Sequence, residues 1–61
     1  MDQNGAINVL RKLGYKAEMT DGVLTVEIES SNAAAFQQEM LRARFALEKA
    51  GYKGKVAAKS V

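Results

Sequence analysis

The sequence contains no cysteine, no histidine, no proline and no tryptophan. Without cysteine and histidine it has no disulfide, no thiol nucleophile, no imidazole base and no zinc site of the usual kind. Its five glycines show neither the GxxxxGK[ST] nor the GxGxxG spacing of a phosphate-binding loop. We therefore expect a protein that is not an enzyme and that uses no metal and no cofactor.

The size and hydrophobicity of the chain limit its organisation. Its 61 residues make one small domain, residues 1–61, and 48% of them are hydrophobic. No apolar run approaches the roughly 18 residues of a membrane span, and residues 1–5 show no signal-peptide pattern, so we expect a cytoplasmic protein with no membrane partner. Because a domain this small buries only about 60% of its unfolded surface, self-association would help to stabilise it.

The formal net charge of +2 is unevenly distributed. Residues 1–31 carry three basic and five acidic side chains, whereas residues 32–61 carry six basic and two acidic ones. The C-terminal half is therefore the part of the chain that could meet an acidic partner.

The first half of the sequence predicts a short helix followed by a hairpin. Apolar residues recur at helical spacing over residues 3–13, with Asp2 or Asn4 as N-cap and Gly14 as a left-handed stop. Residues 15–20 and 23–29 alternate on both sides of Asp21-Gly22, which is typical of a type I′ turn. A two-residue loop fixes the register, in which Met19 opposes Leu24, Ala17 opposes Val26, Tyr15 opposes Ile28 and Lys16 opposes Glu27.

The second half predicts a long helix and a third strand. Residues 33–50 are rich in helix-forming residues, follow three possible N-caps and end at Gly51. Residues 52–58 alternate again, with Tyr52, Val56 and Ala58 on one face and the lysines on the other.

The predicted order α-β-β-α-β is the ferredoxin-like order without its first strand. The missing strand would lie between the second and third strands found here. Its loss would leave either an open slot or a closed-up sheet in which those two strands pair in parallel. We expect an α+β domain with a small three-stranded sheet and two helices on one face.

Two segments resemble parts of known families. Residues 47–56, Leu-Glu-Lys-Ala-Gly-Tyr-Lys-Gly-Lys-Val, resemble the last helix and strand of heavy-metal-associated domains, which bind metal through a CxxC loop. Residues 6–28 are similar to the opening of HicA-type toxins, which cleave mRNA with a histidine on the second strand. The chain has neither cysteine nor histidine, so neither activity is expected.

The long helix carries the main candidate for an interaction site. Phe36, Met40, Ala43, Leu47 and Ala50 form one stripe that suits the sheet. Leu41 and Phe45 fall on the opposite side, flanked by Arg42 and Arg44. Three interpretations are open: the first helix covers the apolar pair, a partner chain covers it, or the pair is simply exposed. The pattern of an apolar centre with a polar rim favours an interface, either with a second copy or with another protein.

The basic C-terminal half supports an alternative. Lys53, Lys55 and Lys59 alternate along the predicted third strand and could contact the phosphates of a nucleic acid, together with Arg42 and Arg44. Charged residues on an edge strand also discourage aggregation, which is the simpler explanation. The sequence thus predicts a non-enzymatic interaction or self-assembly module, or else a small nucleic-acid-binding protein.

Overall fold

A computed structural model describes all residues from Met1 to Val61. It contains two helices and three strands, in the order α1 (Gln3–Lys12), β1 (Lys16–Thr20), β2 (Val23–Ile28), α2 (Ala33–Ala50) and β3 (Val56–Ser60). The prediction of a small α+β domain with the order α-β-β-α-β is confirmed.

Side-chain caps and glycines define the ends of both helices. The Asp2 carboxylate accepts a hydrogen bond of 2.7 Å from the Gly5 amide at the start of α1, and the Asn32 side chain accepts one of 2.8 Å from Ala35 at the start of α2. Each bond satisfies one of the amides that a helix leaves unpaired at its first turn. The helix α2 ends at Gly51, where a φ of 92° is the left-handed conformation that glycine adopts without strain.

The β1–β2 hairpin has the predicted register. Lys16 pairs with Glu27, Ala17 with Val26 and Met19 with Leu24. Asp21 and Gly22 both have positive φ, of 51° and 79°, as a type I′ turn requires. The predicted pairing of Tyr15 with Ile28 falls outside the ladder, because β1 begins at Lys16.

The sheet is closed up, with no slot between β2 and β3. Its strand order is β1-β2-β3, and β2 pairs with β3 in parallel, so that Leu24 lies beside Val56 and Glu27 beside Lys59. The helix α2 forms the crossover that a parallel neighbour requires. Of the two arrangements left open by the sequence, the structure has the closed one.

The predicted bounds of the third strand are wrong. The strand runs from Val56 to Ser60, whereas residues 52–55 form a loop with a bend at Gly54. The phenol of Tyr52 folds back over Gly54 so closely that a Cβ atom there would collide with the ring. The chain bends here, and the predicted strand residues 52–55, including Lys53 and Lys55, lie outside β3.

The core lies between the sheet and the two helices. The helix α1 packs over β1 and β2, α2 packs over β2 and β3, and the helices contact each other. The fully buried side chains come from α1, β2 and α2: Ala6, Leu10, Leu24, Val26, Ile28, Ala43 and Leu47. No charged or polar residue is buried. The other face of the sheet is left without a helix.

Candidate interaction surface

The helix α2 has one buried face and one exposed face. Ala43 and Leu47 are 0% and 1% exposed and pack into the core. Leu41 and Phe45 lie on the other side and are 58% and 64% exposed. We call this side, with Leu41 and Phe45 at its centre, the outer helix face.

Leu41 and Phe45 are unusual for this molecule. The other large hydrophobic side chains that are exposed belong to Met1 and Val61, the first and last residues of the chain. Single apolar residues on a surface need no explanation, but two that are one helical turn apart make a contiguous patch. The patch lies in the middle of the longest helix, so its exposure cannot be explained by a position at a chain terminus.

Polar side chains surround the apolar pair. A shallow hollow on this face is lined by Leu41 and Phe45 together with Gln38, Arg42, Arg44 and Glu48. The Lys49 ammonium nitrogen lies 5.8 Å from the centre of the Phe45 ring, within the distance of a cation–π contact. The predicted interface residues Leu41, Arg42, Arg44 and Phe45 therefore share one surface.

The helix α1 does not cover this patch, so that interpretation of Leu41 and Phe45 is wrong. Its apolar side chains are used elsewhere, since Ala6 and Leu10 are fully buried in the core. At 10 residues it is also shorter than the 18-residue α2, and it packs against β1 and β2 as well as against α2. The outer helix face is left open to solvent.

A link between Tyr15 and α2 was not predicted. The Tyr15 hydroxyl donates a hydrogen bond to the Glu39 carboxylate. Burial raises the pKa of Tyr15 above its ordinary value of 10.0, and the hydrogen bond and negative charge of Glu39 raise it further, whereas Arg42 acts in the opposite direction. This contact fastens α2 to the start of β1 and places Arg42 at its edge. Tyr15 and Glu39 are 24 positions apart in the sequence, and no local pattern predicts their contact.

The three lysines of the predicted nucleic-acid contact do not form one row. Lys53 and Lys55 precede β3 and line a hollow at the C-terminal end of α2, together with Arg44 and Glu48. Lys59 lies within β3, next to Glu27. The structure thus joins Lys53 and Lys55 to Arg44, near the outer helix face, and separates them from Lys59.

The uncovered face of the sheet has balanced charges. Glu27 on the central strand has Lys16 as its partner on β1 and Lys59 as its partner on β3. Opposite charges at directly opposed positions of an antiparallel pair, such as Lys16 and Glu27, stabilise a sheet by about 0.2–1 kcal/mol. The two lysines flank a glutamate, so this face offers no concentrated positive charge.

Metal-binding clusters and membrane-spanning helices are both absent from the structure. It contains no group of three or more histidine, cysteine, aspartate or glutamate side chains placed to hold a metal ion. Neither helix has the length and apolar character needed to cross a membrane.

The fold and this surface define a small two-layer α+β domain with one exposed apolar patch on a helix. A scan against family models, a search of curated proteins and a search of solved structures each found no match to the chain. Any function must therefore be argued from the surface itself.

Proposed function

We propose that this protein is a non-enzymatic protein-interaction module that contacts its partner through the outer helix face. The observation that carries the proposal is the exposure of Leu41 and Phe45, one turn apart on a well-anchored helix. Aromatic and arginine side chains are enriched in the centres of protein interfaces, and this face supplies Phe45, Arg42 and Arg44. The partner in this proposal is either a second copy of the chain or a different protein.

The rest of the molecule supports a rigid presentation of this face. The helix α2 is capped at both ends, packed on the sheet through Ala43 and Leu47, and tied to Tyr15 through Glu39. A contact surface on such a helix loses little conformational freedom when it binds. The apolar pair can therefore contribute to binding without first being ordered.

The proposal is tested by the apparent size of the native protein in a lysate of the cells that carry its gene. A tagged chain should elute in size-exclusion chromatography as a species well above its own 6.6 kDa. The variants Phe45→Glu and Leu41→Glu should elute as free chain, because a carboxylate at the centre of the patch cannot be buried without a partner charge.

A matched control is available on the other helix. Asn8→Glu adds the same charge at an exposed position of α1 and should leave the larger species intact. Circular dichroism should show that all three variants remain folded, since exposed substitutions change stability by about 0.5 kcal/mol or less. If the wild type elutes as free chain, or if the α2 variants stay in the complex, the proposal is wrong.

A further inference from the structure

Building on the proposed function, we infer that the outer helix face binds an acidic protein segment that also carries apolar side chains. The chemistry of the rim leads to this choice of partner. Arg42, Arg44 and Lys49 surround the apolar pair, and Glu48 is the one acidic side chain among them. Glu39 does not line the hollow around the apolar pair but lies near Arg42, since both interact with the Tyr15 hydroxyl, so the rim keeps an excess of one positive charge.

The positive surface continues beyond the helix. Arg44 lines a second hollow with Lys53 and Lys55, which lie in the loop between α2 and β3. Electrostatic complementarity of this kind directs partner choice and speeds association, and it is strongest when salt is low. A partner with several carboxylates would be attracted to this side of the molecule before the apolar contacts form.

Five of the seven acidic side chains lie outside α2, which carries Glu39 and Glu48. Glu18, Asp21 and Glu27 belong to the β1–β2 hairpin, and Glu29 follows it. In a two-fold symmetric pair of this chain the same patch must face itself, so two positive rims would come together. Repulsion between the two positive rims disfavours a symmetric dimer through this face and favours a different, acidic partner.

The composition of the patch favours a protein over a nucleic acid. Single-stranded nucleic acids stack successive bases on several aromatic rings, whereas this face has one ring, and Lys49 lies over it. Leu41 offers an aliphatic side chain that has no part in base stacking.

The experiment uses the purified full-length chain and a random library of displayed peptides of about 15 residues. Peptides are selected on the wild type, and those that also bind Phe45→Ala are removed. We expect the retained peptides to be enriched in aspartate and glutamate together with leucine or aromatic residues, and to bind more weakly as salt is added. Retained peptides that are neutral or basic, or the absence of any peptide that depends on Phe45, would contradict the inference.

Two matched substitutions should change the affinity for a selected peptide in opposite directions. Arg44→Gln should weaken binding of a selected peptide by about two- to five-fold, the range for one exposed ion pair, and Glu48→Gln should strengthen it by a similar factor. Both change one exposed charge on neighbouring turns of α2, and circular dichroism checks that both variants fold. Binding that does not change, or that changes in the same direction for both variants, would overturn the inference.

Two other possible partners, a second copy of the chain and a nucleic acid, would give different results. Light scattering over a concentration series would reveal a dimer of the purified chain, and loss of that dimer in Phe45→Ala would assign the face to a second copy. Salt-sensitive binding of a labelled single-stranded oligonucleotide that is lost in Phe45→Ala would assign it to nucleic acid. A dimer of this kind overturns the inference and leaves the proposed function standing, whereas the oligonucleotide result overturns both.

Discussion

The two faces of α2 are built from similar residues but have opposite surroundings. The inner face buries Ala43 and Leu47 against the sheet, and the outer face leaves Leu41 and Phe45 more than half exposed. Apolar content alone therefore does not explain where the core lies. Packing in the core explains why the inner residues are apolar. It does not explain why Leu41 and Phe45 are apolar, because neither is buried by the fold.

The sharpest test of this comparison removes one apolar side chain from each face. Leu47→Ala should lower the free energy of unfolding by about 2–5 kcal/mol, because it leaves a cavity in the core. Phe45→Ala should change it by about 0.5 kcal/mol or less, since its ring is 64% exposed. Urea unfolding followed by circular dichroism measures both, and similar losses would mean that Phe45 is part of the core.

The sequence predicts most of this distinction, because local chemistry sets the elements concerned. The 3.6-residue period places Leu47 and Phe45 on different sides of the helix, and Asn32 and Gly51 mark the ends of α2. The Asp21-Gly22 turn fixes the hairpin register. In these regions, neighbours in the sequence determine the structure.

Features that depend on distant contacts could not be predicted in this way. Both a slotted and a closed sheet satisfy the same crossover, so the parallel β2–β3 pairing becomes visible only in three dimensions. The start of β3 was misplaced because the contact of Tyr52 with Gly54 overrides the alternating pattern. The exposure of Phe45 likewise depends on where α1 packs, which periodicity does not specify.

A second test asks whether the ends of α2 hold both faces in place. Asn32→Ala removes the acceptor for the Ala35 amide and should cost about 0.5–2 kcal/mol of unfolding free energy. Asn32→Asp retains an acceptor and should cost much less. Thermal unfolding by circular dichroism compares the two, and equal losses would show that the cap contributes little.

The smallest expected effect concerns the Tyr15–Glu39 link and its dependence on pH. The pKa of Tyr15 is raised in the folded protein, so between the unfolded and folded values the native state binds more protons. The stabilisation by Tyr15 is therefore complete below about pH 10 and is lost as the pH rises through the raised value.

The matched variant for this link is Tyr15→Phe. We expect the wild type to be more stable than the variant at pH 8, and the difference to shrink above pH 10, as measured by urea unfolding at each pH. A difference that stays constant to high pH would mean that the hydroxyl contributes nothing through its proton. An increase would contradict the direction of the pKa shift.

The position of β3 has a consequence for the order in which the molecule folds. The hairpin can form as soon as residues 16–28 are present, because a two-residue loop joins its strands. The parallel neighbour of β2 arrives only after α2 and the loop that follows it, and closing such a long connection is slow. Val56 and Ala58 belong to the part of the sheet that α2 packs against. The packing of α2 on the sheet is therefore complete only after β3 has paired with β2.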